Sequence, residues 1–179
     1  KKFAMPIYTG LGNGFYLPKE FHVIEMDWWQ EIPYHELRIV YTPAQHGSGR
    51  GLRDQNKALW GGFSVLAKTG HCFFAGDTGY AGHFKQIHTR YGAPRVALLP
   101  IGAYEPRKLM SYVHMNPQDA VHAHLDLQAH RSLAIHYRTF QLTDEGREDP
   151  EHALAQAIKA SSKLANPFYC IREGHKLTV

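Results

Sequence analysis

Polar and apolar positions alternate over residues 21–28, and an apolar run follows at 37–41, with Pro33 between them. This pattern predicts two antiparallel strands broken at the proline. Two further apolar runs, 63–66 and 72–75, are separated by Lys68, Thr69 and Gly70, a hairpin pattern with glycine at the turn. Phe84, Ile87, His88 and Tyr91 recur at helical spacing, and Gly92 stands where a helix ends. Residues 96–101 return as a buried strand, and the loop 102–113 after it is long enough to serve as a binding element. Asn116 before Pro117 starts a helix, because Asn caps free amides and proline tolerates the first helical position. Its inward stripe is Ala120, Val121, His124, Leu125 and Gln128. A strand at 133–135 comes next, and Asp149 with Pro150 opens a helix whose apolar face is Leu154, Ala157, Ile158 and Leu164. Asn166 and Pro167 end it before a last strand at 168–171. Hairpins mixed with strand–helix units predict an α/β fold, and no internal repeat is visible.

The chain has 179 residues, enough for one domain with a real core and too few for two of ordinary size. Apolar residues make up 44% and charged residues 20%, which excludes a disordered or fibrous chain. No apolar run reaches the roughly 18 residues that span a bilayer, and Lys1, Lys2 and Phe3 lead into Pro6 instead of a signal-peptide core. A soluble cytoplasmic protein is expected. The net charge of +4, from 20 basic and 16 acidic residues, favours phosphate-bearing ligands or peripheral membrane contact. Charge is not concentrated in runs, so there is no strong indication of nucleic-acid binding. Cys72 and Cys170 sit among apolar neighbours and are expected as buried free thiols in a reducing compartment.

Three of the apolar runs lead into a residue that can hold a metal: 37–41 into His46, 72–75 into Asp77, and 133–135 into His136. In open α/β sheets the chemistry gathers outside the carboxyl ends of the strands, so two imidazoles and a carboxylate are expected at one edge. That set suits a zinc-type cation with a position open for water. Each residue alone has a plainer reading. Asp77 could cap the following helix or form an Asx turn, and either histidine could be hydrogen-bonded structure. His122, His124, Asp126 and His130 resemble a metal motif but lie on the predicted helix, where residues two apart are rotated by about 200°. His124 is therefore expected in the core and His122 in solvent. His114, beside the helix start, is a candidate for anion chemistry. Arg107 could fork onto a phosphate, and Tyr104 could donate to a developing oxyanion.

Thr42-Pro43-Ala44-Gln45-His46, Phe74-Ala75-Gly76-Asp77-Thr78-Gly79-Tyr80, Pro100-Ile101-Gly102-Ala103-Tyr104-Glu105-Pro106-Arg107 and Ala134-Ile135-His136 resemble the metallo-β-lactamase superfamily. They are most similar to its N-acylphosphatidylethanolamine-hydrolysing phospholipase D branch. The resemblance implies an αββα sandwich with two zinc ions between its sheets. It also implies His46 on the first metal, Asp77 bridging both and His136 on the second. His114 would line the active site, with Tyr104 to Arg107 beside the substrate channel. The implied activity is hydrolysis of a phosphodiester, of a phospholipid or other small molecule, by metal-activated hydroxide. A nuclease or lactonase of the same superfamily is the enzymatic alternative, and a metal-free non-catalytic fragment is the other. Gly47 and Tyr137-Arg138 depart from the branch, which often has an aromatic residue and a Trp-Gly pair there. The branch's His-x-His-x-Asp-His motif does not occur in the chain, which is therefore expected to be the carboxyl-terminal half to two-thirds of the fold, with the remaining ligands on a preceding segment.

Overall fold

Two short strands, β1 (Ile7–Gly10) and β2 (Val23–Met26), pair in parallel as a separate ribbon in the computed structural model, which describes residues 5–172 and 174–177. The main sheet follows the order β3 (Glu31–Tyr34), β4 (Leu37–Thr42), β5 (Gly62–Ala67), β6 (Gly70–Phe74), β7 (Val96–Pro100), β8 (Ser132–Ile135) and β9 (Phe168–Tyr169). Neighbours from β3 to β6 are antiparallel and those from β6 to β9 are parallel. Two reversals bring β4 back to the direction of β6, so β4, β6, β7 and β8 all end at one edge. Ala67 pairs with Gly70 across the Lys68–Thr69 turn, and Gly70 has a φ of 118° that side-chain-bearing residues rarely adopt.

Alternation along the strands sends Phe73 of β6 and Ala97 and Leu99 of β7 to one face. That face is covered by α1 (His83–Tyr91), α3 (Pro117–Leu127) and α4 (Asp149–Ala160), while the one-turn α2 (Arg107–Met110) stands in the loop after β7. Phe84 and Ile87 of α1, Val121 and Leu127 of α3 and Leu154 of α4 are fully buried against the strands. Each such side chain contributes about 1.5–3 kcal/mol through the apolar area it removes from water. On the other face Tyr41, Phe63 and Phe74 stand in register. The β1–β2 ribbon lies over the β3–β4 end of this face: the Tyr8 ring meets Tyr34 edge-on at 6.2 Å, and a Cβ on Gly10 would come within 2.5 Å of the Tyr41 hydroxyl oxygen. Helices, large sheet and ribbon give three of the layers expected of an αββα sandwich among the described residues.

The alternating stretch at 21–28 forms β2, yet it pairs in parallel with β1 and not with β4. The partner of β4 is β3, which contains Pro33 opposite Arg38. An edge strand can accept a proline because its missing N–H would face solvent. Gln128 is exposed in a left-handed C-cap of α3 and does not join the inward stripe. Cys72 and Cys170 are unbridged but exposed, contrary to the expected burial: Cys72 lies on the face that the helices leave open. Partial burial nonetheless raises both thiols above their ordinary value. His124 is buried and His122 is exposed, which their positions on one helix require.

Candidate metal centre

His46, Asp77 and His136 each follow the carboxyl end of a strand, β4, β6 and β8 respectively, and His114 comes from the segment before α3. Backbone contacts tie these segments together. Thr78 Oγ1 accepts a hydrogen bond from the Gln45 amide at 2.8 Å, and the Gly79 amide donates to the Gln45 carbonyl at 2.8 Å. The Met115 amide donates to the Thr78 carbonyl at 2.9 Å, and Gln45 Nε2 donates to the Tyr112 carbonyl at 2.9 Å. On the β7–β8 side a Cβ at Gly102 would stand 2.2 Å from the His136 carbonyl oxygen, so glycine permits the close approach. Asp77 does not cap a helix, because α1 begins later, behind Gly82.

The four side chains meet. The His46 and His114 ring centroids lie 5.3 Å apart at 76°, and those of His114 and His136 lie 5.4 Å apart and stacked at 20°. His136 Nε2 stands 3.4 Å from Asp77 Oδ1. His46 Nδ1 donates to the Gly47 carbonyl at 2.7 Å, which fixes the tautomer and leaves Nε2 as a free lone pair. His136 sits at φ 59°, left-handed backbone that a non-glycine residue occupies at a strain of order 1–3 kcal/mol. Burial, with His136 and His46 nearby, pushes the His114 imidazole below its ordinary pKa against the pull of Asp77 and Glu145. The Nδ1 atoms of His114 and His136 are buried without a hydrogen-bond partner.

These donors fit a borderline divalent cation in chemistry and in location. They do not close a site by themselves: among the described residues no three of His, Cys, Asp or Glu gather in metal-holding geometry.

The loop after β7 holds the other expected residues, and there the geometry departs from expectation. Arg107 Nη1 donates to the His114 carbonyl at 2.9 Å and Nη2 to Asp119 Oδ2 at 2.6 Å. Asp119 also closes the capping box of α3 with Asn116. The guanidinium thus clamps the His114 segment to the helix start, and its fork is already engaged. Tyr104 is buried and lines a cleft with Asp149 and His152, not the histidine cluster; burial, followed by Glu145 and Asp149, raises its phenol pKa.

Glu145, which the sequence did not single out, organises this region. Its carboxylate accepts from the amides of Ala103 (2.6 Å), Tyr104 (3.2 Å) and Glu105 (3.0 Å) and from Thr143 Oγ1 at 2.7 Å. Burial opposes its ionisation, but the hydrogen bonds from Thr143 and the amides prevail and hold its pKa below the usual carboxylate range. Glu145 also joins Ala103, His136, Tyr137, Phe140 and Leu142 in lining a cavity of about 490 Å3, which His136 alone of the three histidines touches.

Residues 6–137 match the family model described as the beta-lactamase superfamily domain, and the chain belongs to that family. It is 36% identical over 153 residues to the N-acyl-phosphatidylethanolamine-hydrolyzing phospholipase D 1 of Caenorhabditis elegans, covering 82% of this chain and 43% of that protein. It is 38% identical over 141 residues to the mitochondrial N-acyl-phosphatidylethanolamine-hydrolyzing phospholipase D of Saccharomyces cerevisiae, covering 74% of this chain and 30% of that protein. The chain thus spans less than half the length of either relative. Among solved structures, the metallo hydrolase Igni18 from Ignicoccus hospitalis superposes with a TM-score of 0.72 at 22% identity, over 97% of this chain and 68% of that one. The metallo-beta-lactamase fold protein YhfI from Bacillus subtilis superposes with a TM-score of 0.67 at 15% identity, over 95% of this chain and 63% of that one, and with the family match these likenesses establish the metallo-β-lactamase fold.

Proposed function

We propose that the chain supplies one side of the active site of a metal-dependent phosphodiesterase acting on a phospholipid of the N-acylphosphatidylethanolamine type. The observation that carries this reading is the convergence of His46, Asp77 and His136 from separate strand ends, joined by His114 from the segment before α3, onto one edge, with His136 Nε2 3.4 Å from the Asp77 carboxylate. The lipid substrate is supported by the likeness to the nematode and yeast N-acyl-phosphatidylethanolamine-hydrolyzing phospholipases D.

His46, Asp77 and His136 would hold zinc, with Asp77 as the ligand common to two ions. When bound, such ions supply a water with its pKa lowered to about 7 and positive charge for the phosphoryl oxygens. The donors still needed are assigned to a segment of the His-x-His-x-Asp-His kind. Neutral His114, between the two ligand imidazoles, can donate a hydrogen bond to a phosphoryl oxygen. Arg107 holds the His114 backbone in place, and the cavity beside His136 offers Phe140 and Leu142 to an acyl chain.

Zinc titration by calorimetry, with D77N and H136A beside the wild type, tests the ligands. We expect affinity to fall at least tenfold in each variant, in line with losses from altered metal surroundings; equal binding by all three proteins overturns the assignment. Turnover of N-acylphosphatidylethanolamine, a dinucleotide phosphodiester and a lactone by the zinc-loaded protein that joins this chain to the segment carrying the remaining donors tests the substrate. Preference for either of the last two replaces the lipid reading with a nuclease or lactonase.

A further inference from the structure

His136 lies in a strained stretch of chain. Its φ is 59° and that of Arg138 is 69°, so two residues with side chains occupy left-handed backbone within a three-residue span. Arg138 is the centre of a tight turn in which the Thr139 amide donates to the Tyr137 carbonyl at 2.9 Å. A three-residue turn with positive φ at its centre is the rare, strained form. Such backbone persists only where the surroundings over-determine it.

Two contacts do so here. On one side the His136 carbonyl is packed against Gly102, which leaves no room there for a Cβ. On the other side Arg138 reaches the start of α4, where its Nη1 donates to Glu151 Oε2 at 2.8 Å and lies 3.3 Å from Glu148 Oε2. The Arg138 and Glu151 side chains are only 13% and 18% exposed, so solvent and salt screen this pair less than a surface pair. Its far end is firm: Leu154 and Ala157 anchor α4 in the core, and Glu151 stands in the first turn, where a helix favours a carboxylate. The arrangement repeats that of Arg107 and Asp119. Each arginine ties a histidine-bearing segment to the first turn of a helix that contributes none of the four clustered side chains.

We infer that Arg138 is a positioning residue for His136: its pair with Glu151 holds the turn that keeps this imidazole against Asp77. The inference deepens the reading of His136 as a metal ligand, and it names α4 as the element from which that ligand is aimed.

The test uses the protein that joins this chain to the segment carrying the remaining donors, with R138M, E151A and R138K. Both carboxylates meet the same nitrogen, so the single ammonium of R138K can stand in for it. In the zinc-free protein, R138M and E151A should each shift the NMR signals of the His136 ring, assigned with H136A, while those of His46 and His124 stay in place. Calorimetric zinc titration should show about a tenfold loss of affinity in the same two variants, the size typical of groups that orient a ligand. R138K should restore most of both. Thermal midpoints verify folding, and E151A decides alone if R138M does not fold. Unmoved His136 signals or undiminished zinc affinity in folded E151A overturns the inference, as does an equal shift of all three histidines, which marks a role in stability only. A wild type that binds no zinc removes the metal reading and leaves the ring signals to decide this one.

Discussion

The chain has two histidine-rich regions, and they differ in what brings the rings together. On α3, His122 and His124 are near neighbours in sequence yet face opposite ways, one exposed and one buried with its Nδ1 2.8 Å from Ser132 Oγ. His46 and His136 at strand ends and His114 before α3 are far apart in sequence, yet their rings meet at centroid distances of 5.3 Å edge-on and 5.4 Å stacked. Proximity along a helix separates side chains that a sheet edge would gather, because the helix rotates successive residues while parallel strands deliver their ends to one place. A metal site in this fold is therefore read from strand ends and not from local clusters of ligand-type residues.

The sharpest way to break this comparison is to remove one ring from each region. In the zinc-loaded protein that joins this chain to the segment carrying the remaining donors, H136A should lower phosphodiester turnover at least 100-fold, by about 3 kcal/mol or more in the barrier, with little change in thermal midpoint. H124A should do the reverse, lowering stability by about 3 kcal/mol through a cavity and an unpaired Ser132 and leaving zinc affinity unchanged. Denaturant unfolding beside calorimetric zinc titration reads both, and an H124A protein that loses zinc affinity would erase the distinction.

Acid sharpens the comparison on the core side. Burial lowers His83 and His124 from 6.5 in an open chain to about 4 in the fold. Between those values the unfolded chain binds more protons than the folded one, so stability is intact above about pH 6.5 and declines as pH falls toward about 4. The decline should be on the order of 3 kcal/mol per histidine. Thermal midpoints across that range measure it, and a profile flat down to pH 4 would contradict neutral burial. A smaller effect is expected where the two regions meet. D119A removes half of the α3 capping box and the Arg107 anchor, costing about 1–2 kcal/mol; it should shift the His114 ring signals in NMR while leaving those of His124 in place. H122A, on the exposed side of α3, should stay within about 0.5 kcal/mol of wild type.

The sequence disclosed the strand-end residues because each follows a short, mostly apolar run, and it disclosed α3 because Asn116-Pro117 is a local start device. It could not disclose the partner of β4, since alternation at 21–28 marks a strand without naming its neighbour. Pro33 misled for the same reason, as only the sheet order shows that β3 is an edge. Arg107 was legible as a cation but not as a clamp, because Asp119 and the His114 carbonyl come within its reach only once the loop folds. Glu145 escaped notice altogether: its partners are main-chain amides some 40 residues earlier, and amides leave no mark in composition.

That carboxylate also divides the molecule into a part that resists change and a part open to revision. The metal-side residues are rooted in strand termini, whereas the wall of the neighbouring hollow hangs from Glu145 and its acceptor bonds. Grafting foreign residues at 139–142 while keeping Thr143 and Glu145 should recut the hollow for a different guest without moving the imidazoles, which makes this stretch the natural place to start a library for altered selectivity.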